Sequence, residues 1–340
     1  MKRIAIAVLV TLILAGAGLA YMGYNAIYKD NINTKDATTI YIPDGADFDQ
    51  LLDTLSQNNI LINESSFGWV AKLMKFENVK PGKYIIQPEW NNRECIQYLR
   101  LGLQQPVNVT FNNVRTVDEL AGIFAEYLQP DSLSFLNAIM DSALHESLGM
   151  NAQTILSLFI PNTYEMYWNT NPDKLIRRMV EEHKRFWNEE RSALQEASGF
   201  SKTEIYTIAS IVQKETNLAH EKPIMAGVYI NRLKQGIPLQ ADPTVVFAVG
   251  DFTIRRVLNK HIAFDSPYNT YKYNGLPPGP IFMPDVNTID AVLNYENHKY
   301  LYFCASPDKI GAHDFARTLT EHNRNANRYR KWLNQQRIFK

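Results

Sequence analysis

The sequence predicts an α+β chain: an N-terminal transmembrane helix, a small strand–helix–helix–strand unit and a larger mixed α/β region. Three observations predict it. Residues 4–22 form one uncharged, mainly apolar run behind Lys2 and Arg3. Short alternating segments, such as Ile40-Tyr41-Ile42 and Val107-Asn108-Val109, read as strands. Between and after them, apolar residues recur at helical spacing, as in Phe48, Leu51, Leu52 and Leu55. The chain has 340 residues, 45% of them hydrophobic, so it can bury a core and build two or three domains.

The first run of 19 apolar or small residues would span roughly 28 Å as a helix, close to the thickness of a bilayer's hydrocarbon core. A cleaved signal peptide is the competing reading, and Ala15, Ala17 and Ala20 supply the small residues cleavage requires. The apolar run is longer than a signal peptide needs, which favours an uncleaved anchor in the inner (cytoplasmic) membrane over residues 1–24. Lys2 and Arg3 then stay in the cytoplasm, and the rest of the chain lies outside it. Residues 25–38 are polar and read as a tether.

Residues 39–88 form the first folded unit. Ile40-Tyr41-Ile42 is a strand, and Pro43-Asp44-Gly45 a turn. A helix carries Phe48, Leu51, Leu52 and Leu55 and stops at Asn58-Asn59. A second helix covers residues 65–74, Pro81-Gly82 turns the chain, and residues 83–86 close the unit as a strand. This order resembles a LysM module, a small fold used to hold N-acetylglucosamine polymers; an ordinary α+β packing domain is the alternative. Residues 89–158 connect onward as mixed α/β structure. Residues 92–101 are helical, 106–111 alternate as a strand, and Thr116 with Glu119 starts another helix. From 130 to 200 the pattern is mainly helical, broken at Phe159-Ile160-Pro161-Asn162-Thr163-Tyr164. A third region, 159–340, completes the chain and ends in a solvated basic helix over 324–340.

Residues 200–216 carry the sharpest local signal. Ser201 and Glu204 form a capping box, and Phe200 and Ile205 occupy the two hydrophobic-staple positions. Ile205, Ile208 and Val212 share one face, and Glu215 continues it; Gln213 and Lys214 point elsewhere. A carboxylate ending an apolar stripe is ordinarily a solvated or salt-bridged terminus. Partial burial would instead raise its pKa and let it hold a proton near neutrality, as general acid catalysis at a glycosidic bond requires.

The neighbourhood is suited to sugar. Pro223 opens a further helix and Gly236 ends it. Polar, proline-stiffened loops follow, from Leu239 to Thr244, from Ser266 to Tyr271 and from Asn274 to Ile281. Amides, hydroxyls and tyrosines match the hydroxyls and apolar faces of sugar rings, whereas rigid turns alone would also explain the prolines and glycines.

Several of these strings, in order, resemble the endolytic murein transglycosylase family (MltG- or YceG-like). They are Phe159-Ile160-Pro161-Asn162-Thr163-Tyr164, the helix ending Gln213-Lys214-Glu215-Thr216, Asn231-Arg232-Leu233 and Leu239-Gln240-Ala241-Asp242-Pro243-Thr244. Tyr268-Asn269-Thr270-Tyr271, Gly275-Leu276-Pro277-Pro278-Gly279-Pro280-Ile281 and His313-Asp314-Phe315 continue the order. The resemblance implies a lyase, a lytic transglycosylase with a lysozyme-like catalytic helix, acting on peptidoglycan strands beside the synthases that make them. It implies Glu215 as catalytic acid. Gln240, Asp242, Thr244, Tyr268, Asn269 and Tyr271 are the candidates for the sugar groove. The implied reaction breaks the MurNAc–GlcNAc bond and leaves a 1,6-anhydroMurNAc end, terminating strand growth. Family members commonly carry a glutamate two positions before the catalytic one; this chain has Gln213 there.

Other chemistries lack their signals. Lys and Arg total 35 and Asp and Glu 35, so no basic domain points to nucleic acid. Cys95 and Cys304 make no metal or disulfide framework. No phosphate-loop, serine-hydrolase or zinc-protease motif occurs, so neither metal nor cofactor is expected. Two rivals remain: a wall-binding scaffold that does no chemistry, and a muramidase that uses water as nucleophile.

Overall fold

The computed structural model describes residues 2–309 and 311–336. It divides into two compact units. The first takes residues up to 109 with 127–130 and 164–171, and the second takes 110–126, 131–163 and the chain from 172 onward. The expected connecting region, 89–158, is therefore shared between them.

The first unit begins with helix α1, Lys2–Tyr28, long and apolar enough to cross a membrane. It fits a single-pass anchor, with Ile4, Leu12, Leu14 and Leu19 all exposed. Strand β1 (Thr38–Ile42), helices α2 (Phe48–Gln57) and α3 (Glu64–Leu73) and strand β2 (Gly82–Ile86) follow, and β1 pairs antiparallel with β2. Capping explains the helix starts: Asp47 accepts from Gln50 N in a full capping box, and Asn63 accepts from Ser66 N. Helix α4, Asn92–Leu101, carries a second capping box at Asn91 and ends at Gly102 in the left-handed conformation. Leu51, Phe67, Tyr84, Ile86 and Ile96 are fully buried in the resulting core.

The stretch read as a tether is built differently. Helix α1 runs four residues past its expected end, and Ala26 and Ile27 pack on that core. Asn92 Nδ2 donates to Ala26 O at 2.8 Å. Asn31 is buried, donating to Asn63 O at 3.0 Å and to Asn92 Oδ1 at 2.6 Å, and it accepts from Asn63 N at 2.8 Å. Composition marked these residues as polar. It did not show that their amides satisfy one another inside the unit, as buried polar groups must.

Strand β3 (Pro106–Phe111) pairs with β4 (Asn162–Tyr167), and the division between the units falls within both strands. The intervening chain forms α5 (Val117–Tyr127), α6 (Ser132–Ile139), α7 (Ser142–Leu148) and a 3₁₀ turn, Ile155–Leu158. Helices α8 (Pro172–Phe186) and α9 (Glu189–Ser198) follow β4. The second unit is then organised around α10, Lys202–Glu215. The capping box Ser201–Glu204 forms as expected. The expected one-sided helix does not: every residue from Ile205 to Val212 is buried. Helices α11 (Lys222–Lys234), α12 (Asp242–Val249) and α14 (Val286–Leu293) pack around it with the 3₁₀ turn, and α13 is a single turn, Asn259–Ile262. Polar groups on α10 are used internally. Tyr206 donates to Phe159 O at 3.0 Å, and Ser210 Oγ accepts from Ile281 N at 3.1 Å.

That last bond fixes the proline-rich loop on α10. Gly279 in this loop passes so close to Gln153 O that a Cβ there would clash with it, so no side chain fits. The antiparallel strands β5 (Tyr302–Ala305) and β6 (His313–Ala316) and the exposed helix α15 (Leu319–Gln335) complete the unit. The last four residues of the expected C-terminal helix lie outside the described residues.

Candidate active site

Glu215 is the last residue of α10 and faces a cleft. The cleft has two lobes, and Glu215 and Asp242 line both. Glu215 Oε1 accepts a 2.8 Å hydrogen bond from the hydroxyl of Tyr229, on α11. Loss of water around the carboxyl pushes its pKa up; the Tyr229 bond pulls it down, and the charge of Asp242 pushes it up again, to about 7. The negative end of the α10 macrodipole acts in the raising direction as well. Glu215 therefore holds a proton near neutrality and can release it to a bound group.

The next carboxylate along the chain has the opposite environment. Glu221 is buried. Burial pushes its pKa up, but three donors outweigh this and hold it below the ordinary value. His313 donates from its backbone N at 2.7 Å and pairs through Nδ1 at 2.8 Å, and Thr216 Oγ1 donates at 3.0 Å. Glu221 thus ties the residue after Glu215 to β6.

Gln213 lies on another side of α10. Its Nε2 donates to Asp285 Oδ2 at 3.1 Å, and its Oε1 accepts from Lys222 Nζ at 3.3 Å and from the Thr288 hydroxyl. The buried Lys222 ammonium also donates to Asn287 Oδ1 at 3.0 Å and Thr288 Oγ1 at 2.6 Å. A glutamate here would face Lys222 across this polar knot, away from the lining of either lobe.

Of the six groove candidates, three line the cleft. Asp242 accepts from the Tyr271 hydroxyl at 2.6 Å, and Tyr271 and Gln240 line the second lobe. The other three are placed differently. Thr244 is buried, donating to Ala241 O at 2.7 Å and sharing a 2.8 Å bond with the Thr270 hydroxyl. Asn269 is buried and its amide donates to Ile262 O and Phe264 O. Tyr268 packs on Phe247, ring centroids 4.8 Å apart. Buried Thr244 and Asn269 correct the expectation that they face sugar: in tight loops, short polar side chains satisfy the backbone first. The string read as a loop also turns helical at Asp242, because Pro243 suits a helix's first turn.

Sequence reading missed Tyr229, Arg232, Tyr302, His322 and Arg115, all at or beside the cleft. Tyr229 gave one signal, a polar aromatic inside the otherwise apolar run from Ile224 to Ile230. Arg232 was visible in the Asn231-Arg232 pair. Its guanidinium donates to the backbone carbonyls of Leu301, Pro238 and Leu239, so it fastens the 238–240 loop and β5 behind the cleft.

The model of the YceG-like family matches residues 40–328, well over half of the chain. The chain belongs to the YceG-like family. A protein named endolytic murein transglycosylase from Streptococcus pneumoniae serotype 2 (strain D39 / NCTC 7466) is 27% identical, with 95% of this chain and 64% of that protein covered. This chain therefore spans just under two thirds of that relative's length. A Bacillus subtilis (strain 168) protein of the same name is also 27% identical, with 94% of this chain and 91% of that protein covered. A 2.6 Å crystal structure of a YceG-like protein from Listeria monocytogenes superposes with a TM-score of 0.58, at 27% identity, covering 86% of this chain and 99% of that one. The mixed α+β architecture is thus the YceG-like fold.

Proposed function

We propose that this YceG-like chain is an endolytic peptidoglycan lytic transglycosylase with Glu215 as its catalytic acid. The single observation that carries the reading is the state of that carboxyl: at a cleft, with a pKa raised to about 7, and held by one neutral donor, Tyr229. Membership of a family whose relatives bear the transglycosylase name supports the same reading.

In the proposed reaction, Glu215 gives its proton to the glycosidic oxygen between N-acetylmuramic acid and N-acetylglucosamine as the C1–O bond breaks. The substrate's acetamido oxygen stabilises the cationic C1. Glu215, now a carboxylate, takes the proton of the muramyl C6 hydroxyl as O6 bonds to C1. The acid is regenerated, and a 1,6-anhydroMurNAc end remains. An internal nucleophile removes the need for a second carboxylate to activate water.

Helix α10 is the lysozyme-like catalytic helix of this reading, and α1 is its membrane anchor, with Lys2 and Arg3 cytoplasmic and the second unit beyond the membrane. The anchor keeps the cleft near the surface where synthases extrude new strands, so cleavage there would terminate strand elongation. The β1–α2–α3–β2 unit is read as LysM-like, and a groove lined by Asp47, Phe48, Lys72, Lys75 and Phe76 supports a glycan-holding role.

End-group analysis tests the proposal. The protein in detergent, given purified glycan strands, should yield anhydromuramyl ends. Reducing ends would assign a muramidase, with Asp242 the nearest candidate base. Intact strands would leave only the wall-binding scaffold.

A further inference from the structure

The two lobes beside Glu215 differ in charge. One is lined by Arg115, Lys214 and Arg255, with Phe252 and Phe282 among the aromatics. The Arg115 guanidinium sits 4.6 Å from the centroid of Phe252, and Lys214 Nζ sits 4.4 Å from the centroid of Phe282. Aromatic faces hold cations in place but do not neutralise them. Arg115 pairs with Glu119 at 3.7 Å, an exposed contact one helical turn away, and such pairs are weak. Lys214 loses basicity through desolvation and then through the neighbouring Arg115 charge, which shows two cations held close enough to repel. Of the acids in this lobe, Glu215 is mostly or partly protonated at neutral pH, and Asp242 is bonded to Tyr271 at the border with the other lobe.

The opposite lobe is arranged otherwise. Its cation is Arg232, which keeps its charge but is tied by its guanidinium to three backbone carbonyls. Burial and the Arg232 charge lower the pKa of its His322, so that ring is neutral near pH 7. Beside Arg232 and the shared Glu215 and Asp242, its hydrogen-bonding lining is Gln240, Tyr271 and Tyr302.

We propose that the Arg115–Lys214–Arg255 lobe is a carboxylate-binding site, which takes an acidic substituent of the sugar on that side of Glu215. The inference rests on the glycan-cleaving reading and adds a direction to it. A muramyl unit carries a lactyl ether that ends in a carboxylate, or in a peptide bearing carboxylates. An N-acetylglucosamine unit carries neither. The lobe with three cations therefore receives the muramyl side of the scissile bond and the lobe with one, already engaged, the other, which fixes the direction in which a strand lies in the cleft. Two guanidinium or ammonium groups meeting a carboxylate form charge-assisted bonds that a neutral sugar cannot replace.

The test measures equilibrium binding of fluorescently labelled strands to the full-length protein in detergent, with cleavage scored separately. Three strands are used: peptide-bearing, peptide-stripped so that the lactyl carboxylate is free, and stripped with every carboxyl converted to a neutral amide. Wild type should bind at least one acidic strand about tenfold or more tightly than the neutral strand, and added salt should shrink the difference. Tight binding of the stripped strand assigns the lactyl carboxylate; tight binding of the peptide-bearing strand alone assigns the peptide. Arg115→Gln with Lys214→Gln should abolish the preference, and Arg115→Lys with Lys214→Arg, which keeps both charges, should retain most of it. Equal binding of all three strands by wild type overturns the proposal, whether or not they are cut. A preference without cleavage keeps the carboxylate site and overturns the transglycosylase reading instead.

Discussion

Glu215 and Glu221 lie six residues apart, at the end of α10 and just before α11, and both are withdrawn from water. One is held near neutrality and the other below the usual carboxylate range. The difference is the number and kind of donors. Glu215 receives one neutral hydroxyl and feels a like charge from Asp242. Glu221 receives a backbone N–H, a histidine and a threonine hydroxyl. Burial alone makes an acid; burial with several donors makes a strut. The two therefore answer to different perturbations.

Glu215→Gln should lower strand cleavage by about 100- to 10,000-fold, the usual contribution of a general acid. The same change should stabilise the fold at alkaline pH. The folded pKa of Glu215, about 7, lies above its unfolded value of 4.5, so its stabilisation is complete below pH 4.5 and is lost as pH rises through 7. Wild type should thus trail the variant above pH 7 by up to about 3 kcal/mol in chemical denaturation.

Tyr229→Phe removes the one bond that favours the Glu215 carboxylate. The descending limb of the pH–rate profile should move to higher pH, and kcat should fall about tenfold as the carboxyl loses its orientation. Asp242→Asn removes the like charge and should move the same limb to lower pH.

Glu221→Gln should destabilise the fold by about 1–3 kcal/mol at neutral pH, the usual penalty for breaking bonds to a buried charge. Here the folded pKa lies below the unfolded one, so the wild-type advantage holds above pH 4.5 and should vanish as pH falls through the folded value. Denaturant melts at pH 7 and pH 3 measure it. Smallest of all, Gln213→Glu should leave cleavage within about twofold and stability within about 1 kcal/mol, because the new carboxylate lies outside the cleft, where attraction to Lys222 offsets repulsion from Asp285.

What sequence could reveal of this follows the range of the interaction. The Ser201–Glu204 box and the Asn91–Glu94 box act over three residues, and the helix starts at Lys202 and Asn92 were readable from spacing. The pairing of Ile40–Ile42 with the strand ending at Ile86 was readable as a pattern of elements, though not as a register. Glu215 stood out by its place after Val212. What tunes it did not: Tyr229 is fourteen residues away on another helix, and Asp242 reaches it only through the packing of α10 against α12. Polar loop composition was a poorer guide. It marked Gln240, Asp242 and Tyr271 at the cleft, but equally Thr244 and Asn269, whose side chains close their own turns. The buried amides of Asn31 and Asn92 misled in the same way, since polarity in sequence does not distinguish water from an internal partner.

Infrared titration of the Glu215 carboxyl, as the difference between wild type and Glu215→Gln, reads the proton on that group itself. A protonated carboxyl band present in wild type alone and disappearing with a midpoint near pH 7 is the predicted result. A midpoint at or below 4.5, the ordinary glutamate value, would contradict it and leave the cleft without its acid.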